Sequence, residues 1–166
     1  MIVEYQINEG EFIKLKFLLL YKRPLTIIVC TVSIILFLLD FRKYIVFNYP
    51  VETIYASLFL FISCFILIPI YSYIKFKNEY QSTKLISQKT ISEIDDHKIC
   101  DTTETFKTET SWENVHKVKE LKNWFLFYFS SDLFGFAPKR AFSETQIIEL
   151  RNLIISKNIK SDLRQD

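Results

Sequence analysis

The sequence predicts an α+β membrane protein: a hairpin of two transmembrane helices, then a small antiparallel β-sheet closed by a C-terminal helix. Three observations carry that prediction. Two long uncharged stretches lie between Pro24 and Ile74. Short runs of period two follow from Thr90 onward. A Ser-x-x-Gln capping box at Ser143 and Gln146 then opens an apolar-striped helix. The chain has 166 residues, of which 24% are charged, with 21 basic and 19 acidic side chains for a net charge of +2. This length leaves room for one small module besides the hairpin. The charge balance lacks the basic face or run of a nucleic-acid binder, so nucleic acid is excluded as a partner.

The first hydrophobic stretch, Pro24–Leu39, is sixteen residues without a charge. At the helical rise it spans roughly 24 Å, short of the roughly 30 Å hydrocarbon core. The deficit is met by beginning the helix upstream, near residue 20 or Phe17, with Lys22 and Arg23 snorkelling, in preference to extension past Asp40 toward Tyr44. The second stretch, Thr53–Ile74, has twenty-two uncharged residues and Tyr55, Tyr71 and Tyr73 near its ends, where amphipathic rings favour the interface. Pro69 predicts a mild kink. The short connector from Asp40 to Glu52 makes the two helices antiparallel neighbours. Lysines and arginines before the first stretch and after the second outnumber Arg42 and Lys43 between them. The chain is therefore expected in the inner or plasma cell membrane as a multi-pass protein with both termini cytoplasmic. No ionisable residue lies inside either uncharged stretch, which argues for an anchor over a conduit.

The domains expected are an N-terminal arm over 1–23, the hairpin over 24–74 with helices at about 20–39 and 53–74, and a cytoplasmic domain over 75–166. In the arm, Ile2–Ile7 reads as a short strand, and Asn8 with Glu11 has the form of a capping box. The helix it opens carries Phe12, Leu15, Leu18 and Leu19 at helical spacing. It serves as a stem into the membrane or lies on the membrane surface. In the C-terminal part, strands are expected at Thr90–Ile94, His97–Thr102, Phe106–Ser111, His116–Leu121, Trp124–Phe129 and Leu133–Pro138. Asp95-Asp96 and Lys122-Asn123 form turns and Trp112–Val115 a corner. The helix after Ser143 bears Ile147, Leu150, Ile154 and Ile155.

The stretch SWENVHKVKELKNWFLFYFSSDLFGFAPKRAFSETQ resembles the C-terminal domain of the YcxB-like membrane protein family. The specific pieces are Trp112 followed by Val115 and Val118, the aromatic strand Trp124–Phe129, and Pro138-Lys139-Arg140-Ala141-Phe142, similar to a Pro-Lys-Arg-x-Phe signature. Ala137 departs from the larger aliphatic residue usual before that proline. The resemblance implies a pleckstrin-homology-like cytoplasmic fold on a two-helix anchor and carries no activity with it. Phosphoinositide-binding members of that fold usually hold basic residues in the first hairpin loop. This chain has Asp95, Asp96 and His97 there, which disfavours head-group recognition of that kind.

Few residues suggest chemistry. Asp95, His97, Cys100 and Asp101 are the one tight group of potential metal ligands, but they lack a second Cys or His pair, and an exposed turn accounts for the acids. No metal and no cofactor are expected. His116 has no serine or cysteine partner at a recognisable spacing, so no catalytic residue is assigned and the chain is read as a non-enzyme. Lys139 and Arg140, close to an anionic leaflet, are the candidate lipid-phosphate contacts; the competing role is a solvated pair at the end of the sheet. In WFLFYF both strand faces are apolar, so a cover beyond the domain core is needed: the N-terminal arm through Phe12 and Leu15, the membrane, or a partner. Phe125, Phe127 and Phe129 are therefore the candidate interaction surface. The function expected is a membrane-anchored binding or scaffold module whose partners are membrane lipids and a second protein or second copy. The alternatives are an accessory subunit or small enzyme acting on membrane lipids, and a membrane immunity or stress protein.

Overall fold

The computed structural model describes residues 1–131 and 133–164. The chain divides into two compact units: Met1–Ile7 together with Leu85–Asp166, and Asn8–Lys84. The helical unit is therefore inserted into the β-unit after its first strand.

In the helical unit, Asn8 caps α1 (Glu9–Tyr21) through the full capping box. Its side chain accepts from the Glu11 N–H at 2.8 Å, and the Glu11 carboxylate accepts from the Asn8 N–H. The expected run of this helix into the membrane segment does not occur. Arg23, preceding Pro24, is held extended, and Pro24 instead starts α2 (Pro24–Phe47) at a position that needs no N–H donor. The 24 residues of α2 reach roughly 36 Å, so length is gained past Asp40 and not upstream. The Asp40 carboxylate accepts from Lys43 at 3.0 Å, one turn on, which makes the charge tolerable within the helix. Asn48 ends α2 in the left-handed conformation that asparagine tolerates, leaving a connector shorter than the one expected.

The return helix runs through α3 (Glu52–Ile62), a π-helical turn at Ser63–Leu67 and α4 (Ile68–Ser82). Pro69 causes the π turn: it cannot donate to the Phe65 carbonyl and crowds it, so the ladder widens and the Ile68 N–H reaches the Ser63 carbonyl. Helices α2 and α3 are neighbours, with Phe37 stacked on Phe61 at 5.1 Å. Ser33 and Ser57 are buried, and each hydroxyl returns to its own backbone, at Cys30 and Ile54, so no polar hydrogen is left unpaired. The stretches Pro24–Phe47 and Glu52–Ser82 are long and apolar enough to cross a membrane. Helix α1 packs on α4: Phe12 meets Tyr80, Phe17 meets Phe76 edge-on at 5.4 Å, and Lys16 pairs with Glu79 at 2.6 Å. The apolar face of α1, offered in the sequence as a cover for the aromatic strand, is thus taken within its own unit.

The β-unit holds two four-stranded sheets. The first has the order β1 (Ile2–Tyr5), β2 (Thr90–Ile94), β3 (Lys98–Thr102) and β4 (Lys107–Ser111), all antiparallel. The second has the order β7 (Phe134–Pro138), β6 (Trp124–Tyr128), β5 (Lys117–Glu120) and β8 (Lys160–Asp162), with β8 parallel to β5. The short helix α5 (Lys84–Ser87) precedes β2, and α6 (Glu144–Ser156) follows the second sheet. The expected single sheet closed by a helix is replaced by two open sheets. Trp112 turns the chain from one to the other, its indole N–H donating to the Asp95 carbonyl at 2.8 Å and its ring meeting Phe127.

Residues 1–7, grouped with the arm in the sequence reading, complete the first sheet. Tyr5 pairs with Thr90 and Ile2 with Glu93. The Met1 ammonium donates to the Ile94 carbonyl at 2.6 Å, and Val3, Tyr5 and Ile7 are buried. Each such burial contributes roughly 1.5–3 kcal/mol, so loss of β1 removes a large share of a typical domain's stability. We predict that a chain in which a short Asn-Gly turn replaces residues 8–88 folds as a soluble β-domain, whereas residues 89–166 alone do not. Circular dichroism melts test this; equal cooperative melts of the two would refute the role given to β1.

Candidate functional site

Three of the candidate residues, Phe125, Phe127 and Phe129, lie on or just past the aromatic strand β6. β6 is an interior strand of the second sheet, flanked by β5 and β7. Phe125 and Phe127 project toward the first sheet. Phe125 is fully buried against Phe142, edge-on at 5.5 Å, and Phe127 is 5% exposed beside Trp112. Phe129, just past the strand, is half-buried. The interaction surface expected at Phe125, Phe127 and Phe129 is therefore interior at its first two positions, because a second sheet, absent from the sequence reading, supplies the cover. On the opposite face, Trp124, Phe136, Phe134 and Tyr128 form a chain of edge and tilted ring contacts over the fully buried Leu126.

Lys139 and Arg140 stand on a 3-10 turn (Lys139–Ala141) directly after β7. Lys139 turns inward, lies 5.4 Å from the Phe125 ring centre and pairs with Glu120, whose side chain is 0% exposed. Glu120 also receives a fork from Arg151 of α6, Nε to Oε2 at 3.0 Å and Nη2 to Oε1 at 2.6 Å, and the Arg164 N–H at 3.1 Å. This carboxylate therefore joins β5, the turn after β7, α6 and the C-terminal tail. Burial opposes its ionisation, but the hydrogen bonds from Arg151, Lys139 and the Arg164 N–H outweigh burial and hold the carboxyl below its usual range. The Lys139 ammonium, expected at lipid phosphate, is thus engaged inside the domain. Arg140 is exposed and donates to the Gln6 carbonyl at 2.7 Å, fastening the end of β1.

The residues weighed as metal ligands separate. Asp95 accepts from the His97 and Lys98 N–H groups at 2.6 and 2.8 Å, hydrogen bonds that hold its carboxyl below the usual range. Cys100 and Asp101 are successive residues of β3 and so point to opposite faces. No group of three potential ligands occurs among the described residues. His116 begins the second sheet with its N–H on the Tyr128 carbonyl.

A cluster not anticipated from the sequence joins β1, β2 and β3. Ser92 lies between the Tyr5 hydroxyl, at 3.3 Å, and the Asp101 carboxylate, to which it is hydrogen-bonded; Tyr5 also reaches the Phe136 carbonyl at 3.5 Å. They border a cavity of about 20 Å³, shared with Thr110, Phe127, Phe129 and Gly135, large enough for one water. Burial, opposed in part by the Ser92 hydrogen bond, raises the Asp101 pKa. Burial and then the Asp101 charge raise that of Tyr5. Ser92 has one proton to give. With Asp101 ionised, Ser92 donates to it and accepts from Tyr5; with Asp101 protonated, the order reverses, Asp101 donating to Ser92, Ser92 to Tyr5, and Tyr5 to the Phe136 carbonyl. The signal for this cluster was present as Ser92 and Asp101 at inward positions of alternating strands, but Tyr5 reaches them only through a pairing 87 residues distant in sequence.

The two carboxylates predict opposite pH effects. Glu120, with a depressed folded pKa, adds stability that is present above its unfolded pKa and lost as pH falls through the folded one. Asp101, with a raised folded pKa, costs stability as pH rises through that value. Glu120→Gln should therefore destabilise by about 3 kcal/mol near neutrality, because it leaves Lys139 and Arg151 facing each other. Asp101→Asn should stabilise near neutrality. Both differences should shrink toward roughly pH 3. Melts across pH measure this, and a destabilising Asp101→Asn would contradict it.

Residues 94–154, from the last residue of β2 into α6, match the family model described as YcxB-like protein. No curated protein and no solved structure matches the chain. The matched segment contains the Trp112 corner, the aromatic strand, the Glu120–Lys139–Arg151 clip and most of α6, and by it the chain carries a YcxB-like domain.

Proposed function

We propose that the protein is a membrane-anchored binding or scaffold module, non-enzymatic, whose β-unit is a pleckstrin-homology-like domain held on the cytoplasmic side by the helical hairpin. The observation that carries this reading is the insertion of the two long apolar helices between the paired strands β1 and β2. The chain leaves the β-unit after Tyr5 and returns to it before Thr90, two residues that pair across β1 and β2, so both connections to the helical unit start from one place on the domain. The helices support the anchoring half of the reading: Leu25, Ile28, Leu38, Phe59 and Ile70 all face outward, a surface that hydrocarbon solvates and water does not. Two sheets followed by a helix agree with a pleckstrin-homology-like domain. The binding half is supported by the structural use of the buried carboxylates. Glu120 is consumed by cations that fasten the fold, and Asp101 is held by the Ser92 hydroxyl beside Tyr5 within the sheet.

A phosphatase reporter fused after Leu163 should be inactive, and one inserted at Tyr49 active, as expected if both ends of the hairpin face the cytoplasm. The reverse pattern would overturn the topology. Purification from native membranes should recover a stoichiometric partner or a self-oligomer; recovery of the chain alone would contradict the binding role.

A further inference from the structure

A sheet ends in strands whose outward N–H and C=O groups need water, a cover or another strand. The two sheets of the β-unit end in β1 and β4 and in β7 and β8. Three of these edges are blunted. On β1 the outward carbonyls of Ile2 and Gln6 accept from Gln146 at 3.2 Å and from Arg140 at 2.7 Å. On β7 the outward carbonyl of Phe136 receives the Tyr5 hydroxyl, and Pro138 has no N–H to offer. β8 is three residues long. β4 is the exception. Thr103 bonds Phe106 at one end of the β3–β4 ladder and Trp112 bonds His97 at the other, so Thr108 and Thr110 bond β3 between them. The peptide groups of Lys107, Glu109 and Ser111 therefore point outward, and among the described residues no hydrogen bond reaches them. Lys107 and Glu109 are exposed.

A lysine on such an edge guards it by repelling an incoming copy. Here the guard is cancelled, because Glu109 follows Lys107 on the same face, with its carboxylate 3.2 Å from the ammonium. An antiparallel second copy must set outward residues against outward residues, so the two-fold axis brings one residue of β4 against its own copy. Centred on Lys107 or on Glu109, the axis opposes like charges; centred on Thr110, it carries Lys107 past the end of the strand. Centred on Thr108, it sets Lys107 against Glu109 of the second copy and Glu109 against its Lys107, both in hydrogen-bonding positions. Thr108 then meets its own copy, and Phe106, 53% exposed in the single chain, lies opposite Thr110 of the second copy.

We propose that β4 pairs with β4 of a second copy of this chain, antiparallel and centred on Thr108, so that the two first sheets become one continuous sheet. This rests on the binding reading and names the partner. Main-chain hydrogen bonds at Lys107 and Glu109 supply the attachment, and the exchanged charges of the same two residues set the register.

The test uses the full chain in membranes, with Cys30, Cys64 and Cys100 replaced and an oxidant added. Across the axis the two Thr108 Cα atoms approach to about 4.5 Å. Thr108→Cys should therefore form a disulfide-linked dimer about tenfold faster than Glu104→Cys in the exposed β3–β4 turn. Lys107→Glu and Glu109→Lys, each added to Thr108→Cys, should weaken dimerisation by about tenfold, since each creates two like-charge pairs. A mixture of the two should restore crosslinking between the different chains, because every charge then meets its opposite. Crosslinking at 104 as fast as at 108, charge variants that crosslink undiminished, or a mixture without recovery would overturn the proposal. If Thr108→Cys stays monomeric while a second protein is recovered with the native chain, this proposal alone fails. If the native chain is recovered alone, it fails together with the binding reading.

Discussion

The structure depends on the pairing of β1 with β2. Four residues at the start of the chain find their partners across an insertion that contains the whole helical unit, in a register running from Ile2 with Glu93 to Tyr5 with Thr90. Closing so long a loop costs little more entropy than closing a short one, since the cost grows only with the logarithm of length. The insertion is itself compact, which brings the two strand ends together. Once β1 is in place, Tyr5 completes the cluster with Ser92 and Asp101, Gln6 accepts from Arg140, and the Met1 ammonium reaches Ile94. The first strand is therefore a structural part of the β-unit and its link to the hairpin.

The second constraint is electrostatic. Glu120 is a fully buried carboxylate on an otherwise apolar inward face that includes Val118 and Phe125, and it is tolerable there only because Lys139 and Arg151 converge on it. These partners come from separate elements, so the same charge that would be costly alone fixes the turn after β7, α6 and the tail in one arrangement. Asp101 is the contrasting case. Its partner is a neutral hydroxyl, and its ionisation is correspondingly disfavoured.

Local features were legible in the sequence where the physics is local. Both capping boxes, Asn8 with Glu11 and Ser143 with Gln146, form as the residue spacing requires. The strands from Thr90 to Pro138 follow their alternation to within a residue or two, and Trp112 makes the corner. The features missed depend on distance. β8 is short and exposed, carries no alternation, and exists because β5 offers it an edge. Glu120 sits in KVKE, which reads as a solvated strand until Lys139 and Arg151 are placed beside it. The aromatic strand was read correctly as needing two covers, but Phe125 and Phe127 face a sheet partly built from residues at the far end of the chain. The end of α2 was misplaced because Asp40 reads as a boundary until Lys43 pairs with it.

The account stands or falls on the β1–β2 register in the intact protein. Met1 and Ile94 exchange both backbone hydrogen bonds, so Glu4 and Ile91, three positions inward, form a non-hydrogen-bonded pair of the kind in which Cα atoms approach to about 4.5 Å. With Cys30, Cys64 and Cys100 replaced, the full-length Glu4→Cys, Ile91→Cys variant in membranes should oxidise readily to an intramolecular disulfide. Glu4→Cys with Glu93→Cys, two positions out of register, should do so much more slowly. Equal rates for the two variants, or crosslinks only between separate chains, would contradict the strand pairing from which the rest of the structure follows.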